Sequence, residues 1–113
     1  MYKRQIEKYP ATVQALANAI VRADKWIQAA GPGDIIKAVP ESYLLGDRAV
    51  YIDAFMAAKG ALSPDGSIPE AGAATAARAL QSSDDTLKSV KFDYAAVWTN
   101  DFVKKANARY PKG

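Results

Sequence analysis

Carboxylates are the groups in this sequence that could do acid and base chemistry, because histidine and cysteine are both absent. That absence excludes zinc fingers, nucleophiles activated by histidine, haem held by histidine, iron–sulfur clusters and disulfide frameworks. Catalysis by carboxylates needs two of them in one cleft with separated pKa values. The sequence shows no such pair, so we predict no enzymatic turnover, no catalytic residue, no metal and no cofactor.

Three short motifs look chemical and have simpler interpretations. Asp84 and Asp85 are adjacent in a cluster with two serines, where capping of a short helical turn is the leading interpretation and metal binding or catalysis the alternative. Asp65-Gly66 lacks the alternating acidic ligands and closing glutamate of a calcium loop. Gly31-Pro32-Gly33 has neither the glycine spacing nor the Lys-Ser/Thr of a phosphate loop.

Three further side chains are ambiguous in the sequence. Trp26 and Trp98 could be stacking platforms for a base or sugar, but an aromatic side chain in an amphipathic helix more often packs in a core. Asp24 lies on the same helical stripe as Val13 and Ile27, where an uncompensated buried carboxylate is costly. Either that edge is exposed, or Asp24 pairs with Lys25 or Arg22, or it is an introduced change that keeps the chain soluble.

The net charge of +3 is unevenly distributed. Residues 1–30 carry five bases and two acids, residues 31–103 six bases and ten acids, and residues 104–113 four bases and no acid. The basic end could contact nucleic acid or an anionic membrane. Bases in the last turns of a helix also favourably meet its dipole, which is the interpretation we prefer, with no nucleic-acid partner. The bases concerned are Lys104, Lys105, Arg109 and Lys112.

The 113 residues have the length and apolar content of one folded domain, 1–113. Their periodicity predicts an all-α fold, a compact helical bundle of three longer helices plus several short ones. Lys88 to Phe92 is predicted as a loop, since no second strand is present to pair with it. The longer helices are predicted over roughly 11–30, 47–60 and 71–81, and the short ones before Pro10, after Asp34, through Leu87, over 94–97 and over 100–109.

Local signals set the boundaries of these helices. Pro10 suits a first helical turn, and Gly31 is expected to end the long helix in a left-handed conformation. Ser63-Pro64-Asp65-Gly66 predicts a type I turn. The helix after Asp47 is apolar around most of its circumference and should be covered on more than one side. Asp93 and Thr99 are predicted N-caps, and the buried side of that end is expected to be Tyr94, Val97, Trp98, Phe102 and Val103.

Several short segments occur in an order that indicates a protein family more specifically than any one segment does. This order resembles the C-terminal portion of solute-binding proteins of ABC importers for nitrate, sulfonate or taurine, across nearly the whole chain. Asp24 and Tyr94 depart from the aliphatic residues expected in that family. The segments that carry the resemblance are Tyr9-Pro10, Val13 to Leu16, Ala19-Ile20, Lys25 to Gln28, Val39 to Glu41, Tyr43, Leu45 to Asp47, Leu62 to Gly66, Ile68 to Glu70, Phe92 to Tyr94 and Thr99 to Ala106.

The resemblance implies a piece of a longer protein. Members of that family are periplasmic or tethered outside the membrane, and they hold a small solute between two α/β lobes and deliver it to a membrane permease. This chain would be the final helical part, similar to the C-terminal helices of a type II periplasmic binding protein. Its sheets and most cleft loops would lie upstream of Met1. The resemblance assigns no ligand-contacting residue, because Ser63–Gly66 and Thr99–Ala106 look like scaffold.

A function of a different class also remains open from the sequence. The chain could be a free-standing helical module whose helices 47–60 and 71–81 dock a partner or a second copy, and we expect some dimer that buries parts of helices 11–30 and 47–60.

No segment is long and apolar enough to span a bilayer, and the N-terminus is no secretory signal, so the chain as given is expected to stay in the cytoplasm.

Overall fold

The computed structural model describes residues 3–44 and 46–112, with only the backbone of Ala95. Across these residues the structure is helical and contains no strand, which confirms the all-α class. Two 3-10 turns, Glu41–Tyr43 and Asp85–Leu87, add to the α-helices. The helices are α1 Lys3–Lys8, α2 Pro10–Ala29, α3 Pro32–Ala38, α4 Arg48–Lys59, α5 Glu70–Ser83, α6 Tyr94–Val97 and α7 Asp101–Arg109.

The three longer helices predicted from the sequence are confirmed as α2, α4 and α5, and the loop over residues 88–92 is also confirmed. The Asp47 carboxylate starts α4 by accepting from the backbone N–H groups of Ala49 and Val50 at 2.9 and 3.1 Å. Two donors that would otherwise lack a partner are thereby satisfied.

The junction between α2 and α3 differs from the sequence prediction. Gly31 does not end α2 in a left-handed conformation, since its φ is −92° and the chain leaves α2 through an extended Ala30. Gly31 instead starts α3, with Pro32 in the first turn. Its N–H donates to the Asp34 carboxylate at 3.0 Å, which makes Asp34 a first-turn acid.

The helices at the C-terminal end begin close to the predicted positions. The short helix over 94–97 is confirmed. α7 begins at Asp101, one residue later than predicted, and Asn100 rather than Thr99 is the residue directly before it. The Thr99 hydroxyl accepts from the backbone N–H of Asp101 at 3.2 Å. Asn100 also exchanges two hydrogen bonds with the backbone of Ile68, at 3.0 and 2.9 Å. This pairing fixes the start of α7 beside the segment that leads into α5.

The best-packed helix pair is α2 with α7, and polar side chains of α2 hold it together. The Gln14 amide donates to the carbonyl of Phe102 at 2.9 Å, and the Lys25 ammonium donates to the carbonyl of Tyr110. Val21 is almost fully buried on the same side of α2. The side of α2 that packs on α7 therefore combines buried apolar side chains with polar ones.

The other helices are covered less than this pair. α4 has no buried residue among those described, and α5 has one, Ala77. Sequence reasoning expected cover on several sides of α4, but Val50 and Met56 are exposed. Val97 is 70% exposed, so its predicted burial was wrong. The other four side chains predicted to be buried at that end, on Tyr94, Trp98, Phe102 and Val103, are partly buried.

The helices are spread over 48 × 35 × 23 Å, with a radius of gyration of 17.7 Å. A compact domain of similar length has a radius of gyration of about 13 Å. The larger radius of gyration of this chain is consistent with its packing, because fewer apolar side chains are buried than are exposed. The buried apolar residues in the described part of the chain are Val13, Val21, Ala30, Ile35, Leu44, Ala77 and Ala106.

Candidate functional site

The most unusual surface of the molecule is the side of α2 that points away from α7. Exposed residues recur there with helical spacing, and apart from Thr12 and Arg22 they are apolar. Leu16 is 49% exposed and Ile20 60%. Full burial of such side chains is worth about 1.5–3 kcal/mol each, much of which this arrangement does not gain. We call this surface the outward α2 face; it comprises Ala11, Thr12, Ala15, Leu16, Ala19, Ile20, Ala23 and Trp26.

The sequence identified this stripe but not its direction. Val13, Leu16, Ile20, Ala23 and Ile27 predict an amphipathic helix, and such a stripe normally faces the core. In the structure Val13 is buried, whereas the next three are exposed. Trp26 is also exposed, so the core interpretation preferred for it was wrong. The helix is present as predicted, but its apolar side is uncovered.

Asp24 lies at the edge of the packed side of α2 and is partly exposed. Neither base offered by the sequence pairs with it. Lys25 bonds the carbonyl of Tyr110, and the Arg22 guanidinium lies 5.1 Å from the centre of the Tyr110 ring. The carboxylate faces Gly66 instead. Among the three alternatives, the structure therefore favours an exposed edge over an ion pair.

The chain bends at Ser63–Gly66, where a type I turn was predicted, and this turn is wedged between α2 and α7. The Gly66 N–H donates to the Ser63 hydroxyl at 2.9 Å. Gly66 has a φ of +76°, and a Cβ built on it would lie 3.2 Å from a Val21 methyl and 3.7 Å from a Val103 methyl. Asn107 ties the turn to α7 by donating to the carbonyl of Asp65 at 2.9 Å. Sequence reasoning missed Asn107 and Asn100, because no local pattern marks a partner more than thirty residues away.

Asp65 serves this turn rather than a metal. Its carboxylate accepts from the backbone N–H of Ser67 at 2.9 Å, and chiefly this bond holds the pKa of Asp65 below its ordinary value of 3.8. The hydroxyls of Ser67 and Ser63 and the charge of Lys25 act in the same direction. The bonds of this carboxylate are those of a turn, as the sequence predicted.

We expect the free energy of unfolding to decrease in acid as the Asp65 carboxylate becomes protonated. A pKa lowered in the folded state gives stability that is present above the unfolded value and is lost as the pH falls through the folded value. The measurement is urea unfolding between about pH 5 and pH 2, where Asp65→Asn should show a smaller loss than the wild type. Asp53→Asn, which removes an exposed carboxylate of α4, is the matched control for the loss of one acidic group. Equal pH profiles for Asp65→Asn and the wild type would contradict this assignment.

Asp84 and Asp85 have separate structural partners. The Asp84 carboxylate accepts from the hydroxyl and the N–H of Thr86 at 2.6 and 2.9 Å, and these bonds lower the pKa of Asp84. Asp85 pairs with Lys88 at 2.6 Å on the surface. Capping of the turn before Leu87 is thus confirmed. No group of three or more acidic residues that could hold a metal occurs within residues 3–44 and 46–112.

The bases of the C-terminal end do not form one cluster at a helix terminus. Arg109 lies in the last turn of α7, as the dipole interpretation expects. Lys104 and Lys105 lie earlier in that helix, and Lys112 follows it. The dipole interpretation therefore applies most directly to Arg109, and the two lysines of α7 lie about one turn further from the helix end.

Trp98 is partly buried and borders a surface groove of about 530 Å³ between α1 and α7. Its indole N–H is fully buried and has no acceptor among the described residues. An unpaired buried donor costs about 1–3 kcal/mol. Ile6 and Phe102 add apolar walls, while Lys3 and Lys105 are balanced by Glu7 and Asp101 at its rim. The groove offers apolar contact without a dominant charge.

Comparison with known proteins gives one informative match. No protein-family model matches the chain, and neither does any curated protein. The structure is similar to a solved structure of a protein from Bordetella bronchiseptica RB50, with a TM-score of 0.84 and 54% sequence identity. The match covers 94% of this chain and 33% of the other, so the chain spans about one third of that protein's length.

Proposed function

We propose that this chain is the C-terminal helical domain of an ABC-importer solute-binding protein of the nitrate, sulfonate or taurine type. In that role it is a scaffold and not a catalyst. The parent protein would be periplasmic, and its partners would be a small anionic solute and the membrane permease. The ordered sequence segments from Tyr9-Pro10 to Thr99–Ala106 support this type of transporter.

A single observation supports the idea that the chain is part of a larger protein. A 54% identical chain contains nearly all of it as one third of its own length. The packing agrees, because few apolar side chains are buried and α2 leaves its apolar side open. A chain that closes its own core normally covers such a stripe.

The arrangement of side chains supports a scaffold without chemistry. The acidic residues with the clearest hydrogen bonds, Asp47, Asp65 and Asp84, all accept from backbone N–H groups of turns or helix starts. Because these carboxylates serve the backbone, binding of a solute would depend mainly on cleft residues contributed by the remainder of the parent.

No described helix is long and apolar enough to cross a membrane.

The test grafts this chain in place of the corresponding third of the Bordetella protein. We expect the folded chimera to bind nitrate, taurine or an alkanesulfonate in calorimetry, whereas the isolated chain binds none. A folded chimera that binds none of the three would contradict the proposal, as would hydrolase or transferase activity that depends on Asp84 or Asp85. A gene that encodes a signal peptide and α/β sequence upstream of Met1 would support it.

The second candidate is a free-standing interaction module that docks a partner or forms a dimer. The exposed apolar residues on α2 and α4, such as Ile20 and Val50, favour it. Sedimentation equilibrium over a broad concentration range tests it, with Ile20→Lys to disrupt a dimer. A strict monomer for the wild type at high concentration, or a native gene that continues upstream, would count against the module.

A further inference from the structure

α2 leaves apolar side chains exposed on the side away from α7, where an ordinary surface helix carries polar ones. The side that packs on α7 combines the buried Val21 with Gln14 and Lys25, while the residues that make up the outward α2 face are uncharged. Arg22, the nearest exposed base, lies over the Tyr110 ring and thus turns toward the α7 side. Exposure of the apolar side chains of the outward α2 face to water is unfavourable, so burial of this face would stabilise the protein.

The outward α2 face has a shape suited to close packing. Ala11, Ala15, Ala19 and Ala23 follow at intervals of four and form one row of small side chains. Leu16 and Ile20 form a ridge beside that row. From Ala11 to Trp26 the face is about 22 Å long at about 1.5 Å per residue. This length matches a neighbouring helix or sheet layer better than a small ligand.

We infer that the outward α2 face is covered by an apolar layer of the same, longer polypeptide. The length of the related chain is the main argument, because two thirds of it lie outside the match and are available as cover. This inference rests on the part of the proposed function that makes the chain one portion of a larger protein. It does not depend on which solute that protein carries.

A parallel second copy is a poorer occupant on grounds of charge. α1 carries Lys3 and Lys8 directly before α2, whereas Arg22 and Lys25 near the end of α2 both turn toward Tyr110. Parallel copies would therefore set the bases of α1 beside each other. An antiparallel copy is distinguished by protection of the face that increases with the concentration of the isolated chain.

Thiol labelling tests this inference, since the chain has no cysteine of its own. Ala19→Cys places one thiol on the outward α2 face. Ala108→Cys is the matched control, an exposed alanine on α7 with Lys104 and Lys105 one turn before it. We expect similar labelling rates for both in the isolated chain. In the chimera, Ala19→Cys should be labelled at least about tenfold more slowly and Ala108→Cys at an unchanged rate, because buried sites react only when they open.

Three outcomes would overturn the inference. Equal labelling of the two thiols in a folded chimera would show that the face stays open. Protection of Ala19→Cys in the isolated chain that grows with concentration would identify a second copy as the occupant. A chimera that does not unfold cooperatively would show that the remaining two thirds do not accept this chain. A protected face in a chimera that binds no solute would retain the inference and reject the importer function.

Discussion

Gly66→Ala is expected to destabilise the chain by about 2–4 kcal/mol. Two effects add at this position. A φ of +76° is strained for any residue with a Cβ, and the new methyl would lie 3.2 Å from a methyl of Val21. Val103 of α7 stands on the other side at 3.7 Å, so relief of the contact requires a shift of the turn or of a helix. Urea unfolding followed by circular dichroism measures the loss.

Gly46→Ala is the matched control for Gly66→Ala. Gly46 has nearly the same φ, +77°, but a Cβ there would meet nothing within 4 Å. It should therefore show the backbone effect alone, roughly 1 kcal/mol. Equal losses for the two variants would mean that the turn does not act as a wedge between α2 and α7.

Ala106→Leu is expected to cost about 2–3 kcal/mol and to separate α7 from α2. Ala106 is completely buried, within the helix that packs on α2. Three extra carbon atoms cannot be placed there without moving one helix. Because few other side chains are buried, the chain has little further packing to absorb the loss.

Ala108→Leu makes the same change two residues later, at an exposed position of α7. Its stability should stay within about 0.5 kcal/mol of the wild type. The same urea titration serves for both variants. A neutral Ala106→Leu would contradict the α2–α7 packing, and an equally harmful Ala108→Leu would point to an effect of leucine on α7 rather than of overpacking.

Helix positions in this chain are predictable from local signals. Pro10, Asp47 and the Ser63–Gly66 turn mark boundaries that involve backbone groups only a few residues away. The capping role of Asp84 is local for the same reason. Such short-range bonds can be derived from residue type and spacing alone.

The direction in which α2 presents its stripe was not predictable. An apolar pattern shows that a face avoids water, but it does not say which part of the protein covers it. The bonds from Gln14 to Phe102 and from Lys25 to Tyr110 join residues more than eighty positions apart. They hold Gln14 and Lys25 against the α7 end of the chain, and no periodicity within α2 contains that information.

The paired hydrogen bonds between Asn100 and the backbone of Ile68 close the base of the segment that contains α5 and α6. Residues 69–99 thus leave the α2–α7 pair and return to nearly the same point. The entropy of closing a loop grows only slowly with its length. A change in the length of residues 69–99 would therefore leave the α2–α7 pair in place, because the Asn100–Ile68 bonds hold the two ends of the segment together.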